Sequence, residues 1–287
     1  MKFKIPVEDH ELQRSLKTGI MNGATVWLNH LCHTLEAMGH EAKLVPLYSD
    51  YNGCDYVIVQ SEWTDLFPFN TCNEKKIVIL GHFMGGNYPS PDKISADLFI
   101  STWKGPVVDQ YKHKVHFFTH AYCDVCDDDR IEYRGDIVWA GTKYSLRDEG
   151  WFLDLPITRI SGEKPHKLNA IYRGALVCPN IHGDFQKGII SSDSSRIATV
   201  PGYAVNERLF QIIGAGGFQV ADNAPQIKEF FDDDELVTAK TPEEFREKIM
   251  HFTKFPEERI PYIERGRKKI LEQHTYRHRV KQLLELL

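Results

Sequence analysis

Long apolar runs are absent. Nothing in the 287 residues approaches the roughly 18 consecutive apolar positions of a membrane-spanning helix. The N-terminus, MKFKIPVEDHELQ, turns acidic after a few apolar residues and lacks the apolar stretch and small-residue cleavage site of a secretory signal. These two absences lead us to expect a soluble, cytoplasmic protein with no membrane span. Cysteine is sparse: six residues, at 32, 54, 72, 123, 126 and 178, too scattered for a disulfide framework in a chain of this length. Cys123 and Cys126 have CxxC spacing and His120 stands just before them, but a second CxxC pair is missing. Free thiols on a loop are therefore expected in place of a zinc site. An excess of positive charge is missing too. The net charge of −5 argues against a general nucleic-acid binder, because phosphate contacts need clustered Lys and Arg. Arg265, Arg267, Lys268, Lys269, Arg277, Arg279 and Lys281 do crowd the C-terminus, where they read as a solvated helix face. There is no internal repeat and no low-complexity segment. A dinucleotide fingerprint is also lacking, since the run Gly214-Ala215-Gly216-Gly217 follows a helix-like segment instead of opening one.

What is present is an alternation of strand-like and helix-like segments. Phe3–Val7 reads as a first strand. A Gly-rich turn follows, then a helix with Leu28, Leu31, Cys32, Leu35 and Met38 on one face, and a strand at Ala42–Leu47. The runs Tyr56–Val59, Ile77–Leu80, Leu98–Ile100 and Val115–Phe118 are nearly continuous, as in parallel strands covered on both faces. Tyr122–Gly135 is polar and aperiodic, and reads as an interdomain linker. A second series then begins with a strand at Ile137–Ala140. Helices are expected at 145–154 and 164–175, a strand at Leu176–Cys178, and a long polar loop from Asn180 to Asn206. After Phe218–Ala221 and Glu235–Ala239 as strands, Thr241-Pro242-Glu243-Glu244 marks a helix start. A helix over Glu257–Glu272 and a last one after Thr275 complete the chain. The fold class expected is α/β, with two Rossmann-like domains facing a cleft, residues 1–130 and 131–287.

The stretch GYAVNERLFQIIGAGGF, from Gly202 to Phe218, carries the chemistry. A helix starting near Ala204 presents free backbone N–H groups and the positive end of its dipole in its first turn. Gly202 allows close approach to the backbone, and Arg208 adds a cation able to grip a phosphate with two hydrogen bonds. Together these suit a diphosphate. Gln211, one turn on, is placed to bond a ribose hydroxyl. Read locally, an ordinary amphipathic helix with a glycine C-cap accounts for the stretch equally well.

From here the order of motifs resembles the C-terminal domain of GT-B glycosyltransferases, and within them the spore-maturation CgeB-like group. The chain has Arg208-Leu209-Phe210-Gln211, Gly216-Gly217, Asp222, and Pro225 through Phe230-Phe231. It continues with Thr241-Pro242-Glu243-Glu244-Phe245, Pro256-Glu257-Glu258-Arg259, Gly266-Arg267 and His274-Thr275-Tyr276-Arg277-His278-Arg279. Gly141-Thr142-Lys143-Tyr144 and Leu176–His182 fit more loosely. The resemblance implies a GT-B type fold whose C-terminal helix crosses back to the N-terminal domain. It also implies transfer of a sugar from a nucleotide-diphosphate sugar, with UDP-hexose such as UDP-glucose favoured, to an undetermined hydroxyl acceptor. No cofactor and no metal are expected. A helix N-terminus and cations stabilise the leaving diphosphate, with Arg208 first and Lys143 and Arg147 as second contacts. The nucleotide-sugar set is Asn22, Gly23, Gly141, Lys143, Arg147, Gly202, Tyr203, Ala204, Val205, Asn206, Arg208 and Gln211. In the family a Glu usually stands where Gln211 does here, and an amide bonds a hydroxyl more weakly than a carboxylate.

In the N-terminal half, His82 follows a strand and is the candidate base for the acceptor hydroxyl. The acidic triplets Asp127–Asp129 and Asp232–Asp234 read as solvated turns and not as a metal motif. The acceptor is a polysaccharide, a protein or a small molecule. The alternative is a hydroxylated base in DNA, flanked by the basic C-terminus and the His82–Tyr88 loop. Other readings are a sugar-nucleotide epimerase or hydrolase, and a non-catalytic sugar-nucleotide-binding domain.

Overall fold

The computed structural model describes residues 1–18, 26–60, 67, 72–80, 92, 94–102, 114–141, 150–182, 189–190, 197–198 and 205–287. The chain divides into two compact units. One comprises Met1–Thr119, Asp184–Ala204 and Arg279–Leu287, and the other His120–Gly183 and Val205–His278.

The first unit is built on a six-stranded sheet. Its elements are β1 (Lys2–Val7), α1 (Asp9–Thr18), α2 (Val26–Ala37), β2 (Glu41–Pro46), β3 (Tyr56–Gln60), β4 (Lys75–Leu80), β5 (Leu98–Ser101) and β6 (Val115–Phe117). The order is β2-β1-β3-β4-β5-β6 and every pairing is parallel. The continuous apolar runs are explained by burial on both faces: all five residues of β3 are buried. Leu28, Leu31, Cys32 and Leu35 form the covered stripe of α2. The helix α1 was not legible as one. It places only Glu11 and Leu12 in the interior, so it has almost no apolar period. Its acidic first turn and Lys17 in the last turn do match the helix dipole.

The second unit begins with β7 (Val138–Ala140), β8 (Thr158–Ile160), α3 (Pro165–Gly174) and β9 (Cys178–Asn180). In the segment expected to be a polar loop, β10 (Ile189–Ile190) and β11 (Ile197–Ala198) pair antiparallel and belong to the first unit. The second unit resumes with α4 (Glu207–Gly214), β12 (Gln219–Asp222), β13 (Val237–Ala239), α5 (Pro242–Lys254) and α6 (Ile260–Gln273). The final helix, α7 (Tyr276–Glu285), starts in the second unit and ends in the first. β9, β12 and β13 pair in parallel, as do β7 and β8. A parallel bridge between Ile137 and Val177 joins the two sets, reinforced by Val138 N–H to the Val177 carbonyl (3.0 Å) and Val177 N–H to the Asp136 carbonyl (2.9 Å). The resulting order is β8-β7-β9-β12-β13. Trp139, Phe218, Val220, Phe245 and Ile249 fill its core. Thr241 caps α5 by accepting from Glu244 N–H at 3.2 Å, with Pro242 in the first turn.

Tyr122–Gly135 packs as part of the second unit. Tyr122 is 1% exposed. Its N–H donates to the His274 carbonyl (2.9 Å), and its own carbonyl accepts from Tyr276 N–H (2.8 Å). Its phenol donates to Asp127, which also pairs with Arg173 at 2.6 Å. Gly214, the last residue of α4, lies against this tyrosine: a Cβ there would sit 2.3 Å from the Tyr122 ring.

All six cysteines are free. Burial pushes the Cys32 thiol up to about 12 and the Cys178 thiol upward as well. Folded Cys32 and Cys178 thus hold their protons where an unfolded chain ionises. Stability is expected to fall as pH rises from the ordinary thiol value of 9.0 toward about 12. At pH 8, native Cys32 and Cys178 are expected to resist alkylation and to react on denaturation, as read by peptide mass spectrometry. Rapid native labelling of both would contradict their burial.

Candidate functional site

In both sheets the strand order reverses beside the first strand of the series. Ligands of open α/β sheets sit beyond the carboxyl ends of the strands at that reversal. In the second unit the reversal lies between β7 and β9. The chain leaves these strands at Ala140–Gly141 and at Asn180–His182.

Three side chains meet there. Asn206 is the N-cap of α4, accepting from Leu209 N–H at 3.1 Å. Its amide donates to Asn180 Oδ1 (3.0 Å) and to the Ile181 carbonyl (3.3 Å). Asn180 returns a bond from Nδ2 to Asn206 Oδ1 at 3.1 Å. This reciprocal pair ties the start of α4 to the end of β9. Arg208, in the first turn of α4, donates from Nη1 to Asn180 Oδ1 at 3.2 Å. Its guanidinium carbon lies 5.4 Å from the centre of the buried Trp139 ring, and that of Arg159 lies 5.1 Å from it. Two cations therefore share one indole at the end of β7, which makes the corner electropositive. Gly141 completes it. With φ at +157°, a Cβ there would meet the Trp139 ring at 2.9 Å and Arg208 Nη2 at 3.2 Å, so only glycine leaves the guanidinium its place. Beneath Arg208, burial holds the phenol of Tyr172 above its ordinary range, and it stays uncharged.

Of the residues singled out in the sequence, the structure brings Gly141, Asn206 and Arg208 together. Val205 is buried, with its N–H donating to Gln226 Oε1 at 3.0 Å. The helix opens at Glu207 instead of near Ala204, which makes Asn206 a cap. Gln211 is 8% exposed, and its amide donates to the Ala121 carbonyl at 3.1 Å. His82, Asn22, Gly23, Lys143, Arg147, Gly202, Tyr203 and Ala204 lie outside the described residues. Asn180 and Arg159 escaped the sequence reading. Asn180 lies within the Leu176–His182 stretch but carries no local signal of its own, Arg159 belongs to no motif, and only the strand order brings the two to Arg208.

A family model described as glycosyl transferase-like matches residues 122–285, more than half of the chain. The chain belongs to the glycosyl transferase-like family. No curated protein matches it by sequence. Solved structures share its fold, the α/β fold of GT-B glycosyltransferases. A glycosyltransferase from Rickettsia africae is 10% identical with a TM-score of 0.62, over 99% of this chain and 97% of that one. HepE from Anabaena, solved with UDP and glucose, is 8% identical with a TM-score of 0.60 over the whole of both chains. The β-glucosyltransferase of phage T4 is 11% identical with a TM-score of 0.59, over 98% of this chain and 99% of that one.

In this glycosyltransferase several of the C-terminal motifs are architectural. His274 sits among Phe210, Phe230 and Phe231, with ring centres 5.4–6.2 Å away. Tyr276 donates to Glu207 at 2.7 Å, tying α7 to the first turn of α4. Both acidic triplets are neutralised by cations: Asp127 by Arg173, Asp128 by Arg130, Asp129 by Arg267, Asp232 by Lys269, Asp233 by Lys228 and Asp234 by Arg265. The same pairs account for much of the basic C-terminus, where Arg277 also holds Asp124 at 2.7 Å. Among the described residues no helix is long and apolar enough to cross a membrane.

Proposed function

We propose that this glycosyltransferase moves a hexose from a UDP-sugar to a hydroxyl acceptor, and that its chain falls in the CgeB-like group within the family. The observation that carries the donor assignment is the guanidinium of Arg208, held by Asn180 over Trp139 at the strand reversal and in the first turn of α4. A departing diphosphate there meets a cation and a helix dipole already in place, which lowers the barrier to glycosidic cleavage without reorganisation. HepE was solved with UDP and glucose, which supports a uridine donor. This cationic corner supplies the countercharge, so a metal ion is not required. Because the C-terminal cations are largely consumed in ion pairs, they lend little support to a DNA acceptor. A sugar, peptide or small-molecule hydroxyl is the favoured acceptor class.

Titration calorimetry against UDP-glucose, UDP-galactose and other nucleotide sugars, combined with an assay for released UDP, tests the reading. Binding of a UDP-sugar with slow UDP release is the expected result. Activity is expected to persist within about twofold in excess EDTA. Failure to bind any nucleotide sugar would overturn the proposal, and abolition by EDTA that Mg²⁺ or Mn²⁺ restores would overturn its metal-free part.

A further inference from the structure

His182 follows the end of β9, two residues beyond Asn180. The carbonyl of the intervening Ile181 accepts from Asn206 at 3.3 Å, which sets this stretch beside the N-cap of α4. The His182 side chain is 2% exposed and doubly anchored to Asp222, the last residue of β12. Its backbone N–H donates to Asp222 Oδ2 at 2.9 Å, and its Nδ1 lies 2.5 Å from Asp222 Oδ1. A carboxylate only accepts, so Nδ1 carries the proton, and in the neutral imidazole Nε2 is the lone-pair acceptor. That Nε2 is buried and has no hydrogen-bond partner among the described residues. A buried acceptor left unsatisfied is costly and calls for an explanation. Asp222 fixes the ring so that this edge faces away from β12.

We propose that His182 is a donor-binding residue whose Nε2 accepts a hydrogen bond from a hydroxyl of the nucleotide sugar, on the ribose or on the transferred sugar, and that Asp222 is its positioning residue. The inference rests on the donor-binding reading of this site. It adds a hydroxyl-recognition group to the phosphate-recognition group at Arg208.

Isosteres separate ligand binding from mere packing. In His182→Asn the amide nitrogen takes the place of Nδ1, which keeps the bond to Asp222 and deletes Nε2. In His182→Gln the longer amide reaches the position of Nε2. Calorimetry with UDP and with the UDP-sugar that the wild type prefers, alongside the melting temperature of each variant, provides the test. The expected result is that His182→Asn folds with an unchanged melting temperature and binds donor about tenfold more weakly, while His182→Gln stays within about threefold of wild type. Weakening toward both ligands assigns the ribose, and weakening toward the UDP-sugar alone assigns the transferred sugar. Wild-type affinity in His182→Asn overturns the inference. So does weakened binding only where the melting temperature also falls. A wild type that binds no nucleotide overturns the functional reading itself, a result distinct from either of these.

Discussion

Arg208→Ala is expected to lower kcat/KM for the donor by about 10²- to 10³-fold, the typical cost of deleting one preorganised group that stabilises transition-state charge. The loss should fall mainly on kcat, because negative charge builds on the diphosphate as the glycosidic bond breaks and an interaction stronger in the transition state acts on the chemical step. Arg208→Lys should recover only part of it. Lysine restores the charge but not the planar fork, which bonds Asn180 Oδ1 at 3.2 Å and lies over the Trp139 ring. The melting temperature should change little, because Arg208 is half-buried at the unit's edge and outside its apolar core. Steady-state kinetics of the three proteins settle it. Equal rates for wild type and Arg208→Ala would remove the residue from the mechanism.

The second large effect is on stability. Gly214→Ala is expected to cost about 1–3 kcal/mol, the range for overpacking a filled interior. The added Cβ would fall 2.3 Å from the Tyr122 ring, and that ring is pinned through its backbone bonds to His274 and Tyr276 and through its phenol to Asp127. Chemical denaturation of Gly214→Ala, Tyr122→Ala and the double variant gives the coupling between them. Once the ring is gone the methyl has room, so the double variant should be more stable than the two single losses sum to. Additive losses would contradict the contact.

Those two positions also show where the sequence was legible. The apolar runs of β3, β4 and β5 announced a parallel sheet because these strands are covered on both faces. Thr241-Pro242 announced α5 because a cap and a first-turn proline act locally. The same local logic singled out Arg208 and Asn206, which the structure brings together beside Asn180. It did not reach Asn180, Arg159 or the pairing of His182 with Asp222, which depend on strand order and therefore on contacts distant in sequence. Nor did it foresee that the glycine after Ile213 serves the packing of Tyr122, or that His274-Thr275-Tyr276 fastens α7 to Tyr122 and α4. Gln211 was read as a ribose contact, and the structure engages its amide with Ala121. A motif records that residues recur together, and only the packing distinguishes those that hold the site from those that form it.

On the proposed function, the strand reversal of the second unit holds the donor diphosphate. A crystal structure of the UDP complex tests it most directly. Diphosphate oxygens are expected within hydrogen-bonding distance of the Arg208 guanidinium, beyond the ends of β7 and β9 and in front of the first turn of α4. A well-ordered diphosphate bound elsewhere on the chain, out of reach of the Arg208 guanidinium, would contradict it.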